Sequence, residues 1–168
     1  MLPDPSRPVW PIKEENAMRA PASLYRLPIH PMLVALPIGL WVFSLACDLI
    51  RIAGASGGAW TTVALYTMVG GLIGALCAVV PGVIDLLYYK GGVPLVKQIA
   101  LTHMAINLLA VVLYGSNIWL RAHGPADPGT RIDPQVILSV LGVALLLVSG
   151  WLGGKMVHIR GVGVEGRE

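Results

Sequence analysis

Four long apolar segments separated by short polar ones dominate the pattern of this chain. They cover roughly residues 32–53, 59–87, 99–121 and 134–157, and each can supply the about 20 helical residues that cross the hydrocarbon core of a bilayer. The connecting segments are rich in Gly, Pro and charge, as in GASGG and AHGPADPGTRIDP. Connections this short place consecutive helices antiparallel. The pattern therefore predicts an all-α, polytopic membrane protein, an antiparallel four-helix transmembrane bundle over residues 29–158.

The two ends of the chain lack this pattern. Residues 1–28 predict an irregular N-terminal tail, and residues 159–168 a C-terminal tail. Cytoplasmic segments of membrane proteins carry an excess of Lys and Arg. Nine basic residues fall on the side of the termini, and three fall on the other side: Arg7, Lys13, Arg19, Arg26, Lys90, Lys97, Lys155, Arg160 and Arg167 against Arg51, Arg121 and Arg131. Both termini are therefore predicted to be cytoplasmic.

Composition supports a membrane location. Of 168 residues, 55% are hydrophobic and 12% are charged, whereas soluble domains carry about 25% charged residues. A chain this apolar needs lipid around it, and we expect a multi-pass membrane protein. The bilayer is its main expected partner, with other membrane subunits or a second copy as further candidates. The net charge of +3 requires no nucleic acid partner.

Each predicted helix carries a stripe of small or polar residues on one face. On the third span, five of six positions on one line are polar: His103, Asn107, Ala110, Tyr114, Asn117 and Arg121. The first span has a comparable line: His30, Val34, Pro37, Trp41, Ser44 and Asp48. Glycines and Asp85 share a face of the second span, and glycines and Ser139 share a face of the fourth. Polar side chains are costly in lipid, so these faces are expected to point into the bundle.

The histidines suggest a cofactor or metal site. By helix depth, His30, His103 and His158 share the half of the membrane next to the termini, with Asp85 nearby. His30 and His103, facing each other, could provide axial imidazoles to haem b, with Asp85 orienting one ring and Asn107 and Tyr114 lining the pocket. His30, His103 and His158 could instead ligate a divalent metal.

The order of several motifs resembles a known family. HPMLVALPIGLW, PGVIDLL, HMAINLLAVVLYGSN and GWLGGKMVHIRGVGV occur in this order as they do in the bacterial family catalogued as domain of unknown function 2231. The resemblance covers about residues 30–165 and implies a four-helix inner-membrane protein. Some relatives are fused to Rieske iron–sulfur domains, which implies a redox membrane. No activity follows from the resemblance.

Three functions remain open on this basis. The first is an accessory or structural subunit of a larger membrane complex, such as a respiratory or redox complex, favoured by the glycine-rich faces. The second is a haem b protein that transfers electrons, and the third, less favoured, is a metal or proton carrier. We find no internal repeat, which many transporters have. The sequence shows no phosphate-binding loop, nucleophile elbow or catalytic carboxylate pair, so no catalytic residue is predicted.

Overall fold

The computed structural model describes residues 22–24, 27–54, 58–88, 94–125, 128 and 132–159, with the backbone alone at 23, 24, 27, 28, 158 and 159. Its elements are β1 (Ser23–Leu24), β2 (Leu27–Pro28), α1 (Ile29–Leu33), α2 (Ala35–Ile52), α3 (Ala59–Leu87), α4 (Pro94–His123) and α5 (Pro134–Gly154), followed by a π-helical turn (Lys155–Ile159). The two strands pair antiparallel, with Leu24 opposite Leu27. The described end of the expected irregular tail is thus a short hairpin.

Four helical segments are long and apolar enough to cross a membrane: Ile29–Ile52, Ala59–Leu87, Pro94–His123 and Pro134–Val157. The predicted four-span, all-helical architecture is therefore confirmed. The third span begins about five residues earlier than expected, because Pro94 is well placed to start a helix: its missing N–H would have no intrahelical partner there.

The first span combines α1 and α2. Pro37 has no backbone N–H, so the carbonyl of Leu33 lacks the donor that a helix would provide four residues later, and the α-helix is interrupted at Val34. Backbone hydrogen bonds nevertheless continue across the interruption, because Val34 N–H donates to the His30 carbonyl at 3.1 Å and Ile38 N–H donates to the Val34 carbonyl at 3.3 Å.

The bundle consists of two closely packed helix pairs. The first pair is α2 with α3, joined at its end by α1 on α3, and the second pair is α4 with α5. The contacts of α3 with α4 and of α2 with α5 close the ring. We call the end where α1 begins and α5 ends the proximal end, and the opposite end, where α2 ends and α5 begins, the distal end.

The predicted inward faces are the buried ones. On α4 the buried set includes Ala110, Tyr114, Asn117 and Arg121, and on α2 it includes Pro37, Trp41, Ser44 and Asp48. Large aliphatic side chains such as Leu36, Ile73 and Leu147 are exposed, as expected for a surface that faces lipid.

Glycines allow aromatic rings to enter the interior. A Cβ on Gly71 would lie 2.5 Å from the Trp41 ring, and one on Gly142 would lie 2.6 Å from the Tyr114 ring. No Cβ can occupy such a position without displacing its neighbour. The two rings stack on each other with centroids 4.0 Å apart and planes 9° apart. Together with Met68, Ala110 and Leu146 they form the buried centre of the bundle.

Candidate functional site

A cavity of about 180 Å³ lies in the proximal half of the bundle, between the two helix pairs. Its lining is mostly aliphatic, with contributions from α1, α2, α3, α4, α5 and the turn after α5. The polar side chains around it are His30, Asp85, His103 and Asn107, and Trp41 forms part of its inner wall. A mostly apolar cavity with a few convergent polar groups is typical of a small-molecule or cofactor site.

His30 is fixed by α3. Its Nδ1 lies 2.7 Å from the carbonyl oxygen of Ala78. A carbonyl oxygen can only accept a hydrogen bond, so Nδ1 of the neutral ring carries the proton and Nε2 keeps its lone pair. The ring also lies against Gly82, where a Cβ would come within 2.9 Å of it. The histidine can approach the helix so closely because residue 82 has no side chain.

His103 is fixed by α5 in the same way. Its Nδ1 lies 2.9 Å from the carbonyl oxygen of Ser149 and 3.0 Å from the hydroxyl of the same residue. Its Nε2 lies 3.1 Å from the amide nitrogen of Asn107, which can only donate, and that nitrogen is also 2.9 Å from the His103 carbonyl. Both contacts assign the proton to Nδ1 and the lone pair to Nε2.

The two imidazoles face each other across the junction of the helix pairs. Their ring centroids are 6.3 Å apart and their planes are nearly perpendicular, at 88°. Since one ring belongs to α1 and the other to α4, each helix pair contributes one histidine. The structure thus brings together two of the residues that the sequence singled out, although they are 73 positions apart in the chain.

Asp85 has a different contact from the expected one. Its carboxylate accepts a hydrogen bond of 2.9 Å from the backbone N–H of Ala22, whose carbonyl accepts from Ile29 N–H at 3.1 Å. It therefore holds the hairpin segment against the proximal end of α3. Backbone carbonyls hold both Nδ1 atoms, and the expectation that Asp85 orients an imidazole stays a prediction.

Tyr114 lies one layer deeper than the cavity. It is 1% exposed and stacks on Trp41, whose Nε1–H donates to the Met68 carbonyl at 3.2 Å. Among the described residues, the Tyr114 hydroxyl has no hydrogen-bond partner. The aromatic pair separates the cavity from the distal half of the bundle.

The distal half contains an ion network whose pairing was not predicted. Arg121 donates to Asp48 at 2.6 Å and to Asn117 at 3.1 Å, and Ser139 donates to Asp48 at 3.1 Å. Both charged residues are buried, so each neutralises the other out of contact with water. Asp48 and Arg121 both lie on the inward stripes identified in the sequence. Their opposite charges at equal depth are the signal that could have paired them.

A second ion pair lies beside the first. Arg51 donates to Asp133 at 3.2 Å, and the other carboxylate oxygen of Asp133 accepts from Val136 N–H at 3.0 Å. Asp133 thereby caps the first turn of α5, which is a favourable position for a carboxylate.

The alternative metal site is not assembled in the described part of the chain. The described residues contain no group of three or more His, Cys, Asp and Glu side chains that could hold a metal ion. His158, the third predicted ligand, lies in the π-helical turn, and its side chain is outside the described residues.

Comparison with known proteins places the chain in a family. The model of the family described as predicted membrane protein (DUF2231) matches residues 26–166, which include every described helix. The chain belongs to this family. Its four apolar helices make this DUF2231 protein a multi-pass membrane protein. No curated protein and no solved structure matches it.

Proposed function

We propose that this DUF2231 protein binds haem b between His30 and His103 and transfers electrons within the membrane. The observation that carries the proposal is the facing pair of imidazoles, each with Nδ1 held by a backbone carbonyl, which leaves the lone pair on Nε2. Ligating histidines commonly donate their other ring N–H to such an acceptor, which fixes the tautomer and the orientation of the ring.

The separation of the rings matches ligation of one ion from opposite sides. Imidazole nitrogen binds a metal at about 2.0–2.1 Å, and the ring centroid lies about 1 Å behind the nitrogen, so two opposed imidazoles place their centroids about 6 Å apart. The observed centroid separation is 6.3 Å. The same separation also falls within the about 4.5–7 Å of ordinary edge-to-face aromatic pairs, so the distance allows ligation and does not by itself require it.

The number of protein ligands favours haem over a bare ion. Zn²⁺ in proteins usually has at least three protein ligands, and the described residues offer no cluster of three. A haem iron already has four porphyrin nitrogens and takes two axial ligands from the protein. The pair of histidines supplies that number.

The size of the cavity limits how the group fits. Its volume of about 180 Å³ is close to that of an engineered cavity of about 150 Å³ that binds benzene. It can therefore enclose only part of a macrocycle. Because the cavity lies between the two helix pairs, the axial ligands fit, and the remaining edge of the macrocycle would require the pairs to separate. A bound haem would supply one-electron transfer at a potential set by its axial ligands and surroundings.

Asn107 would respond to the bound group. Its amide now donates to Nε2 of His103, the atom that would bind iron. Ligation requires this amide to give up that hydrogen bond, while its bond to the His103 carbonyl can remain. Asn107 is therefore a positioning residue for the proposed ligand, and Tyr114, which is outside the cavity lining, is not.

The test is haem reconstitution of the purified protein in detergent. We expect a Soret band at one haem per chain and its loss or marked shift in His30→Ala and in His103→Ala. His123→Ala is the matched control, because His123 is exposed at the distal end, where its Nδ1 bonds to the Trp119 carbonyl of the same helix. The proposal is wrong if the wild type binds no haem, or if both proximal variants bind it as the wild type does.

The other hypotheses have less support. No contact among the described residues favours an accessory subunit over an independent protein, so that hypothesis remains a prediction. For a proton carrier, the polar groups would have to connect the two ends of the bundle. In the described residues the apolar centre formed by Trp41, Met68, Ala110, Tyr114 and Leu146 lies between them.

A further inference from the structure

The contacts of the first helix pair recur in the second at a fixed offset in sequence. His30 bonds to the Ala78 carbonyl, and His103, 73 positions later, bonds to the carbonyl of Ser149, which is 71 positions after Ala78. Each of these carbonyls lies four residues before a glycine that contacts the same imidazole. The surroundings of the two histidines are thus built alike.

The same offsets continue through the centre of the bundle. Trp41 lies against Gly71, and Tyr114 lies against Gly142. The aromatic residues are again 73 positions apart, and the glycines are again 71 positions apart. The recurrence therefore extends beyond the histidines to the ring-on-glycine packing of the two helix pairs.

Two hydrogen bonds nearer the distal end show the same offsets in sequence. Ser44 donates to the Ala64 carbonyl at 3.0 Å, and Asn117 donates to the Gln135 carbonyl at 2.9 Å. The donors are 73 positions apart and the acceptors 71 positions apart. Three independent kinds of contact, at three depths, thus give the same alignment of the two halves.

Contacts between the two pairs join equivalent residues. The facing imidazoles, the stacked aromatic rings and the Asp48–Arg121 ion pair each connect positions 73 apart. When two copies of one unit meet across a twofold axis, a residue on the axis contacts its own equivalent. All three contacts fulfil this condition.

We infer that the bundle consists of two copies of one two-helix unit, related by a twofold axis along the bundle, and that the cavity is a site on this axis. Each unit contributes the same half of the site: a histidine, the carbonyl that holds its Nδ1–H, and a glycine beside its ring. Membrane proteins with parallel repeats have such an axis along the membrane normal. The absence of an internal repeat noted from the sequence is corrected.

The repeat is difficult to see in the sequence because, apart from the histidines and the glycines, the equivalent positions share a role and not a residue type. Trp and Tyr both provide a ring, and Ser and Asn both provide a donor. At the ion pair identity is unfavourable, because two identical charges would meet on the axis and repel each other in the interior. A fused pair of units can instead carry Asp48 in one and Arg121 in the other.

The axis restricts the ligand class. A group bound on the axis meets two equivalent histidines, so a ligand with two equivalent binding positions on opposite faces fits the site, as a metal with two axial sites does. This statement about the ligand rests on the proposed function, which identifies the ligand as haem. The repeat itself does not, because the ion pair and the serine–asparagine positions that test it are remote from the cavity.

Exchange of the ion pair tests the repeat. Asp48→Arg and Arg121→Asp each place like charges together, and we expect each to lower the midpoint of thermal unfolding by about 10 °C or more. The double exchange should recover at least half of that loss, because each residue then occupies the equivalent environment.

The matched control is exchange of Arg51 and Asp133, a buried pair whose positions are not related by the offset. It should not recover, since Arg at 133 cannot cap α5.

Two outcomes would overturn the inference. One is a D48R/R121D variant that is no more stable than its better single variant, and the other is equal recovery in the control exchange. The uncharged exchange S44N/N117S keeps both donors and the summed side-chain volume, so it provides a milder second comparison with its single variants. None of these measurements involves haem, so failure of the repeat and failure of haem binding are distinguishable.

Discussion

Addition of one methyl group at Gly142 tests the packing that holds the centre of the bundle together. The Cβ of Gly142→Ala would lie 2.6 Å from Cε2, 2.8 Å from Cζ and 3.0 Å from the hydroxyl oxygen of Tyr114. The ring cannot easily withdraw, because it is 1% exposed and stacked at 4.0 Å on Trp41. The neighbouring helix must therefore move, or both rings must shift together.

The expected change in the free energy of unfolding of Gly142→Ala results from two opposed effects. Overpacking of a well-filled interior costs about 1–3 kcal/mol, while replacement of Gly by Ala within a helix gains up to about 1 kcal/mol. Gly150→Ala on the same helix measures the gain in helix propensity without the overpacking, because no atom lies within 4 Å of its added Cβ. The difference in free energy of unfolding between the two variants should thus be about 1–3 kcal/mol, with Gly142→Ala the less stable.

The assay is thermal unfolding of both purified variants in the same detergent. A difference of that size corresponds to about 2–12 °C in the unfolding midpoint, at about 2–4 °C per kcal/mol for a chain of this length. If Gly142→Ala equals or exceeds Gly150→Ala in stability, the close ring-on-glycine packing is not present in the protein. The equivalent variant Gly71→Ala should behave as Gly142→Ala does, since its Cβ would lie 2.5 Å from Trp41.

Two further predictions concern the histidine site and the orientation. Ser149→Ala should leave haem reconstitution unchanged, because the backbone carbonyl that holds His103 remains, whereas Gly82→Ala should weaken it at least several-fold by displacing His30; equal Soret titrations of the two variants would contradict this. A reporter that is active only in the cytoplasm, fused after Glu168, should be active, and periplasmic activity of the complementary reporter would reverse the predicted orientation.

Much of the architecture could be predicted because lipid makes the sequence pattern easy to interpret. A helix in hydrocarbon must place its polar side chains towards protein, so the stripe through Asn107, Tyr114 and Asn117 identified the inner face of the third span. The structure confirms that Tyr114 and Asn117 are buried. It also shows cross-helix hydrogen bonding only for Asn117 among these three, within the described residues.

The partners of the polar side chains were harder to predict than their direction. Asp85 and the histidines lie at similar depth, so an Asp–His contact was a reasonable expectation. Helical periodicity gives the angle and depth of a side chain, but it does not show which backbone carbonyls are accessible across an interface. The carbonyls of Ala78 and Ser149 are accessible because a glycine follows each one turn later, next to the imidazole. Glycine spacing opposite a histidine is thus the signal that could have identified these acceptors.

The twofold arrangement connects these observations. A residue next to the axis contacts its own equivalent, so its side chain must be compatible with a second copy of its role. Histidines fulfil this condition if a metal lies between them, and aromatic rings fulfil it by stacking. Charged residues fulfil it only when the two copies differ in sign, as Asp48 and Arg121 do. The axis therefore imposes its strongest chemical requirement where equivalent residues meet, at His30–His103, Trp41–Tyr114 and Asp48–Arg121.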